Sequence, residues 1–312
     1  MELNKLAIIG YGSMGSIHHK SIIEDRSSTL DAVYDNKNLN VSLSKNIKQF
    51  NDYKKFLDYL ITSQVAGVII SSPNKYHYKH ASDILALKIP VLIEKPITTS
   101  IQEMDKLINL AKNNNTVLRC GLIEIYNPVI SELKKLKLNN IKSIHINRHS
   151  PRISNDRYLG DVIQDLLLHD ISLIYYLFNP KKIEIIGSNK IEVKNTVETL
   201  ELLLKINNDT SVFISTSRES QVKKRNIEIM DKNSVYMIDL IEKIIQVTQK
   251  GSTKSKVGSV THSNKNFKIE PLDRPETAKV QLNSFIENIK SKKLDFDHID
   301  IIKKSHEFIF QI

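Results

Sequence analysis

The chain has one cysteine, Cys120, in 312 residues. That excludes an internal disulfide and fits a reducing, cytoplasmic setting. No apolar run reaches the length of a membrane span, so no membrane role is expected. The opening MELNKLAIIG enters an extended run at once and leaves no room for a signal peptide. There is no basic patch either: the lysines and arginines behind the formal charge of +10 are spread along the whole chain. A nucleic-acid partner is therefore not expected, whereas a cationic cleft for a phosphorylated or nucleotide-linked substrate stays open. No internal repeat is visible. His18–His19 and His77/His80 are only local pairs and Cys120 has no partner cysteine, so no metal is expected. What remains is 40% hydrophobic and 26% charged. Such a composition is globular, at a length sufficient for two domains.

The first 120 residues alternate short β-branched runs with longer amphipathic ones. Strands are expected at Leu6–Ile9, Leu30–Tyr34, Ala66–Ser71, Pro90–Ile93 and Thr116–Cys120, and helices at Met14–Glu24, Asp52–Ile61, Tyr76–Leu87 and Ile101–Asn113. Ser100 and Glu103 form a capping box for the last helix. This alternation predicts a parallel sheet covered by helices on both faces. A domain of residues 1–120 is expected, followed by one of residues 121–312.

Beyond Cys120 the rhythm changes. A helix from Pro128 to Leu136 has Asn127 as its cap and Pro at its first position. A strand follows at Ser143–Arg148. From Lys182 come extended runs at Ile183–Gly187, Val197–Ile206, Ser211–Thr216, Asn226–Met230, Ser234–Leu240 and Lys243–Thr248. Turns such as NNDT and DKN make them antiparallel hairpins. Gly251–Asn266 is a polar excursion, and helices near Glu276–Lys290 and His298–Phe310 close the chain.

Between these regions lies DVIQDLLLHDISLIYYLF, Asp161–Phe178, apolar on nearly every helix face yet carrying Asp165, His169 and Asp170. A helix that is hydrophobic all round belongs in an interior, where polar groups must be paired or put to use. The four-residue spacing sets Asp165 and His169 one turn apart on one face. The pair is suited either to moving a proton or to satisfying itself internally.

The N-terminal strand runs into GYGSMG and then a helix. Gly10, Gly12 and Gly15 stand where a dinucleotide-binding turn needs them, with Ser13 and Met14 opening the helix toward the phosphates. Asp35 ends the second strand, where a carboxylate binds the adenosine ribose and repels a 2′-phosphate, favouring NAD over NADP. Its alternative is a turn residue, and Lys37 nearby weakens the preference. The loops SSPNKYHYKHA (Ser71–Ala81) and IEKPITTS (Ile93–Ser100) follow later strands and open on the same crevice.

GYGSMG, SSPNKYH, EKP and DLLLHDISL, in that order, resemble the Gfo/Idh/MocA family of NAD(P)-dependent oxidoreductases. The resemblance implies an N-terminal Rossmann domain and a C-terminal α/β domain with a large, open, mostly antiparallel sheet. It implies a catalytic set of Lys95, Asp165 and His169. Glu94 and Pro96 would shape the nicotinamide end, and Ser71, Ser72, Pro73, Asn74 and His77 would lie beside the cofactor. His80 is expected on the helix surface. A homodimer or homotetramer packed through the exposed sheet is implied as well.

Within the family, Gly121–Lys135, RHSPR (Arg148–Arg152) and Glu270–Ile289 resemble dehydrogenases acting at C3 of UDP-amino sugars. Asn127 then belongs to the substrate pocket or is simply a helix cap. Arg148 and Arg152 bind the sugar or diphosphate, or are solvated loop charges. Ile125 stands where that subgroup has arginine, Ser172 where it has an acid, and Gln164 where it has an apolar residue. The alternatives are a keto-sugar reductase, an inositol dehydrogenase and a non-catalytic dinucleotide sensor. The last would be free to lose the proton-transfer residues that this chain keeps.

Overall fold

A computed structural model describes residues 3–37, 43–136, 138, 140–152, 160–207, 209–250, 254–256, 259–261, 265–271 and 276–312. The chain divides into two compact units, Met1–Tyr126 together with Glu276–Ile312, and Asn127–Pro275.

The first unit alternates β1 (Asn4–Ile9), α1 (Ser13–Glu24), β2 (Ser28–Tyr34), β3 (Lys48–Phe50), α2 (Tyr53–Ser63), β4 (Gly67–Ile70), α3 (His77–Ala86), β5 (Val91–Ile93), α4 (Ile101–Asn113) and β6 (Leu118–Cys120). The strands form one parallel sheet in the order β3-β2-β1-β4-β5-β6. Its central strands are covered on both faces and therefore read as continuous apolar runs; Leu6 to Ile9 and Val68 to Ile70 are all fully buried. The edge strand β3 has no such run, and nothing in its composition announces it. Ser100 caps α4 by accepting from the Glu103 amide.

The second unit begins with α5 (Pro128–Lys135), β7 (Ser143–His149), a π-helical turn at Ile163–Leu167 and α6 (Leu168–Phe178). The strands β8 (Ile183–Val193), β9 (Thr196–Ile206), β10 (Thr210–Ser217), β11 (Lys224–Met230), β12 (Ser234–Asp239) and β13 (Ile244–Gln249) follow. A small hairpin of β14 (Lys254–Lys256) and β15 (Ser259–Thr261) precedes β16 (Lys265–Ile269). The large sheet runs β16-β13-β12-β11-β7-β10-β9-β8 and is antiparallel except between β7 and β10. One row across its buried face is Ile245, Ile238, Ile227, Ile146, Ile214 and Leu202. The next row, on the opposite face, carries Met237, Glu228, His145, Phe213 and Leu203. Residues 251–253, 257–258 and 262–264 of the expected polar excursion lie outside the described residues.

The two closing helices, α7 (Thr277–Ser291) and α8 (Phe296–Ile309), return to the first unit, so the division at residue 120 expected from chain order is replaced by one at Tyr126. The cause is packing. Leu282, Phe285 and Ile286 join Leu6, Ile8 and Leu92 in one apolar cluster. Arg119 of β6 donates to Asn288 Oδ1 at 2.6 Å, Asp295 Oδ2 at 2.5 Å and Ser284 Oγ at 3.1 Å, and also bonds Tyr126. His298 Nε2 accepts from the Cys120 amide and His306 Nε2 from the Ile97 amide, each at 3.1 Å.

Candidate active site

In the first unit the expected residues gather at the carboxyl ends of four adjacent strands. Gly10 follows β1 with φ of +86°, a conformation open to glycine. A Cβ there would stand 2.6 Å from the Ser72 amide nitrogen, and one on Gly15 would stand 2.3 Å from the Gly10 carbonyl oxygen. Gly12, at the start of α1, is different: a Cβ there would meet nothing within 4 Å. Gly10 and Gly15 thus close the turn, while Gly12 keeps open the space above the first helical amides, those of Ser13 and Met14. That cradle fits a dinucleotide pyrophosphate, which such amides and the helix dipole attract.

Asp35, just past β2, is fixed by two main-chain donors: the Tyr11 amide at 2.8 Å and the Lys37 amide at 2.9 Å. It lines a cavity of about 290 Å³ with Gly10, Tyr34, Tyr53, Ser72, Pro73 and His80. His80, expected on the surface, is buried and holds Ser72 Oγ at 3.0 Å from Nδ1. Three residues beyond His77 on α3, it turns inward because that helix face packs on the sheet. Burial, followed by the charge of Lys79, pushes its imidazole down to about 4.

Ser71 Oγ donates to the Gly10 carbonyl at 2.7 Å. Asn74 opens the short turn leading into α3. The ring of His77 lies between the loops, its two nitrogens 2.8 Å from the carbonyls of Ser72 and Pro96. Burial lowers its pKa, against the pull of these two carbonyls. Lys95 is half-buried, and its amide donates to Glu94 Oε2 at 3.3 Å. Glu94 Oε1 lies 2.7 Å from Nε2 of His18. Burial alone would raise the Glu94 carboxyl; the hydrogen bond and charge of His18, then Lys95, hold it below its ordinary value. His18, taken from the sequence as half of a local pair, is thus part of this site.

In the second unit the helix expected at Asp161–Phe178 opens with a π turn, in which the Leu168 amide reaches back five residues to the Ile163 carbonyl. Such turns recur at functional sites. Asp165 lies within this turn and His169 in the first turn of α6 that follows it. Asp165 Oδ2 accepts from Arg218 Nη2 at 2.9 Å. His169 is buried at 9% exposure on α6.

The substrate residues expected in this unit divide. Asn127 is buried, its amide spent on accepting from Val129 N at 3.2 Å and donating to the Leu240 carbonyl at 2.9 Å; it is a cap and a tether. Arg148 follows Ile144 and Ile146 on the buried face of β7, is 1% exposed, and donates from Nε to Asp170 Oδ1 at 2.8 Å. It is therefore a core ion pair, not a loop arginine. Arg152 is half exposed and pairs with Glu198 Oε1 at 2.5 Å. Glu198 also faces Arg218 at 3.7 Å, which links Arg152, Glu198, Arg218 and Asp165 in a row of alternating charge. Arg218 and Glu198 were invisible to motif reading. Their only signal is a charge at the end of an apolar strand. Among the described residues, no three His, Cys, Asp or Glu side chains gather as a metal site, and no helix is long and apolar enough to cross a membrane.

The first unit carries a Rossmann cradle with Lys95 on a neighbouring loop, the frame of a dinucleotide-dependent oxidoreductase. Residues 4–122 match the family model described as oxidoreductase family, NAD-binding Rossmann fold. That match spans the strands and helices of the first unit's parallel sheet. It is 23% identical over 252 residues to UDP-N-acetylglucosamine 3-dehydrogenase of Acidithiobacillus ferrooxidans, covering 80% of this chain and 78% of that protein. It is 28% identical over 193 residues to glucose-6-phosphate 3-dehydrogenase of Bacillus subtilis, covering 56% and 54%. The solved structure of the Acidithiobacillus enzyme shares the fold, with a TM-score of 0.82, 20% identity and coverage of 100% and 97%.

Proposed function

We propose that the protein is an NAD-dependent dehydrogenase that oxidises a secondary alcohol of a sugar or nucleotide-sugar, at C3 of a UDP-amino sugar. The observation that carries this is the setting of Lys95. It is half-buried beyond the end of β5, on a loop held by Glu94, His77 and His306, in the same unit as the open cradle at Gly12. Support for the substrate comes from two relatives whose names both place reaction at position 3 of a hexose.

Gly10, Gly12, Ser13, Met14, Gly15 and Asp35 would hold the dinucleotide, with Ser71, Ser72, Pro73, Asn74, His77, Glu94 and Pro96 flanking it. The Asp35 carboxylate, pinned by two amides, favours NAD over NADP. When bound, the nicotinamide supplies the hydride acceptor. Lys95 donates a hydrogen bond to the substrate hydroxyl and stabilises the developing alkoxide. His169 takes the hydroxyl proton. Asp165, held by Arg218, orients the substrate or the ring. The carbon loses a hydride and the oxygen a proton, leaving a ketone. Arg152 is the remaining arginine for an anionic substrate group, Asn127 and Arg148 being committed elsewhere.

A second copy of the chain is proposed to cover the outer face of the large sheet, where Phe213 and Met237 are 43% and 52% exposed. Buried Cys120 is a free thiol, in keeping with the cytoplasm.

An activity screen with NAD against UDP-amino sugars, free sugars and inositols, following reduced cofactor, identifies the substrate. K95A and H169A should each lower kcat by about 100-fold or more, with NADH affinity nearly unchanged. Wild-type turnover in both variants would overturn the mechanism.

A further inference from the structure

His18 belongs to none of the groups just assigned to the reaction, yet it is one of the most tightly placed polar side chains of the first unit. It lies on α1, one turn beyond Gly15, and is 1% exposed. Its Nε2 stands 2.7 Å from Glu94 Oε1, and its Nδ1 is buried without a hydrogen-bond partner. An ionised carboxylate can only accept, so it is Nε2–H of His18 that donates to Glu94.

The Glu94 carboxylate is gripped from three sides. His18 donates from α1, the Lys95 amide donates from its own loop, and β6 leaves room only because residue 121 is glycine. A Cβ on Gly121 would lie 2.6 Å from Glu94 Oε2. A buried ionic contact of this kind adds little net stability over well-packed apolar groups, so fold stability does not by itself require it. What it does is geometric. The helix whose first amides face the cofactor phosphates also carries the donor that fixes the residue next to Lys95.

We infer that His18 is a positioning residue for the reaction: it locks Glu94, and through Glu94 the Lys95 loop, to the helix that receives the cofactor. This rests on the reading of Lys95 as the group that contacts the reacting oxygen. Cofactor docking and lysine placement then share one rigid element, and loss of His18 strikes kcat rather than NAD affinity.

The test compares H18F, H18Q, E94Q and K95A in the full chain. Reductive methylation with formaldehyde and cyanoborohydride, read by peptide mass spectrometry, reports the reactivity of Lys95 without any substrate. In H18F the Lys95 rate should change severalfold while exposed Lys20 and Lys135 react as before; H18Q, which keeps an N–H donor, should restore it. With the substrate found in the screen, H18F and E94Q should each lower kcat by about 10- to 100-fold and displace the pH–rate profile. The H18F/E94Q double variant should be no worse than the poorer single one. NADH affinity by fluorescence should stay close to wild type. A folded H18F with wild-type Lys95 reactivity, kcat and pH profile overturns the inference. If H18F does not fold, unchanged Lys95 reactivity in E94Q has the same force. K95A separates the two readings: turnover retained in K95A overturns the proposed chemistry, whereas an inactive K95A beside a fully active H18F overturns only the role of His18.

Discussion

The two units anchor the residues of the expected site in different ways. In the first, most partners are main-chain groups: Asp35 takes the amides of Tyr11 and Lys37, Ser71 the carbonyl of Gly10, and His77 faces the carbonyls of Ser72 and Pro96. In the second, carboxylates meet arginines: Asp170 with Arg148, Asp165 with Arg218, Glu198 with Arg152. Main-chain partners are set by the strand–turn–helix geometry, so a motif's spacing already implies them. The arginine partners lie 22 to 53 residues from their carboxylates, and only the folded sheet brings them together.

The largest effect that would break this comparison is at Arg148. Its pair with Asp170 has 1% and 0% side-chain exposure. Removing Arg148 takes away the cation that faces the buried Asp170 carboxylate, so R148A should cost about 3–5 kcal/mol in urea unfolding. R152A removes a side chain that is 49% exposed and should cost at most about 1 kcal/mol. A fully stable R148A with a raised KM would return Arg148 to the substrate pocket.

The same contrast explains what was legible. Apart from β3, the Rossmann strands were readable as apolar runs, and α1, α2 and α4 start at Gly12, Asp52 and Ser100. Gly10, Gly12, Gly15 and Asp35 followed from that frame, and Lys95 from the resemblance carried by EKP. Arg148 was open to correct reading as well, since Ile144, Ile146 and Arg148 alternate onto one face. Asp165 and His169 stand out in DVIQDLLLHD, but the π turn that opens their helix leaves no mark there. Arg218, Glu198 and His18 depend on contacts across the fold, and chain order alone hid the return of α7 and α8 to the first unit.

Acid sharpens the contrast next, because His80, His298 and His306 all lie in the first unit. His306 uses both nitrogens as a neutral ring: Nδ1–H donates to the Ile302 carbonyl at 2.7 Å and Nε2 accepts from the Ile97 amide. Burial pushes it down to about 4, and burial with the charge of Arg119 pushes His298 down as well. The unfolded chain protonates these rings near their ordinary 6.5. Their contribution is therefore complete above pH 6.5 and is lost as pH falls from 6.5 to about 4, by about 3 kcal/mol for His306. Hydrogen exchange should show β5 and β6 losing protection between pH 7 and 5, and H306Q should flatten that slope. An unchanged slope in H306Q would mean that its neutral ring is not what acid attacks.

The smallest effect separates building the first unit from using it. G10A forces a side chain into a φ of +86° and against the Ser72 backbone, and should lower stability by about 1–3 kcal/mol. G12A meets nothing within 4 Å, so its melting temperature should match the wild type. The space it fills is the one the cofactor phosphates need, and NADH affinity by fluorescence titration should fall by about tenfold, or 1.4 kcal/mol. A G12A protein that binds NADH like the wild type would show that the open cradle is not where the pyrophosphate lies. The first unit's legibility would then extend to its fold but stop short of its ligand.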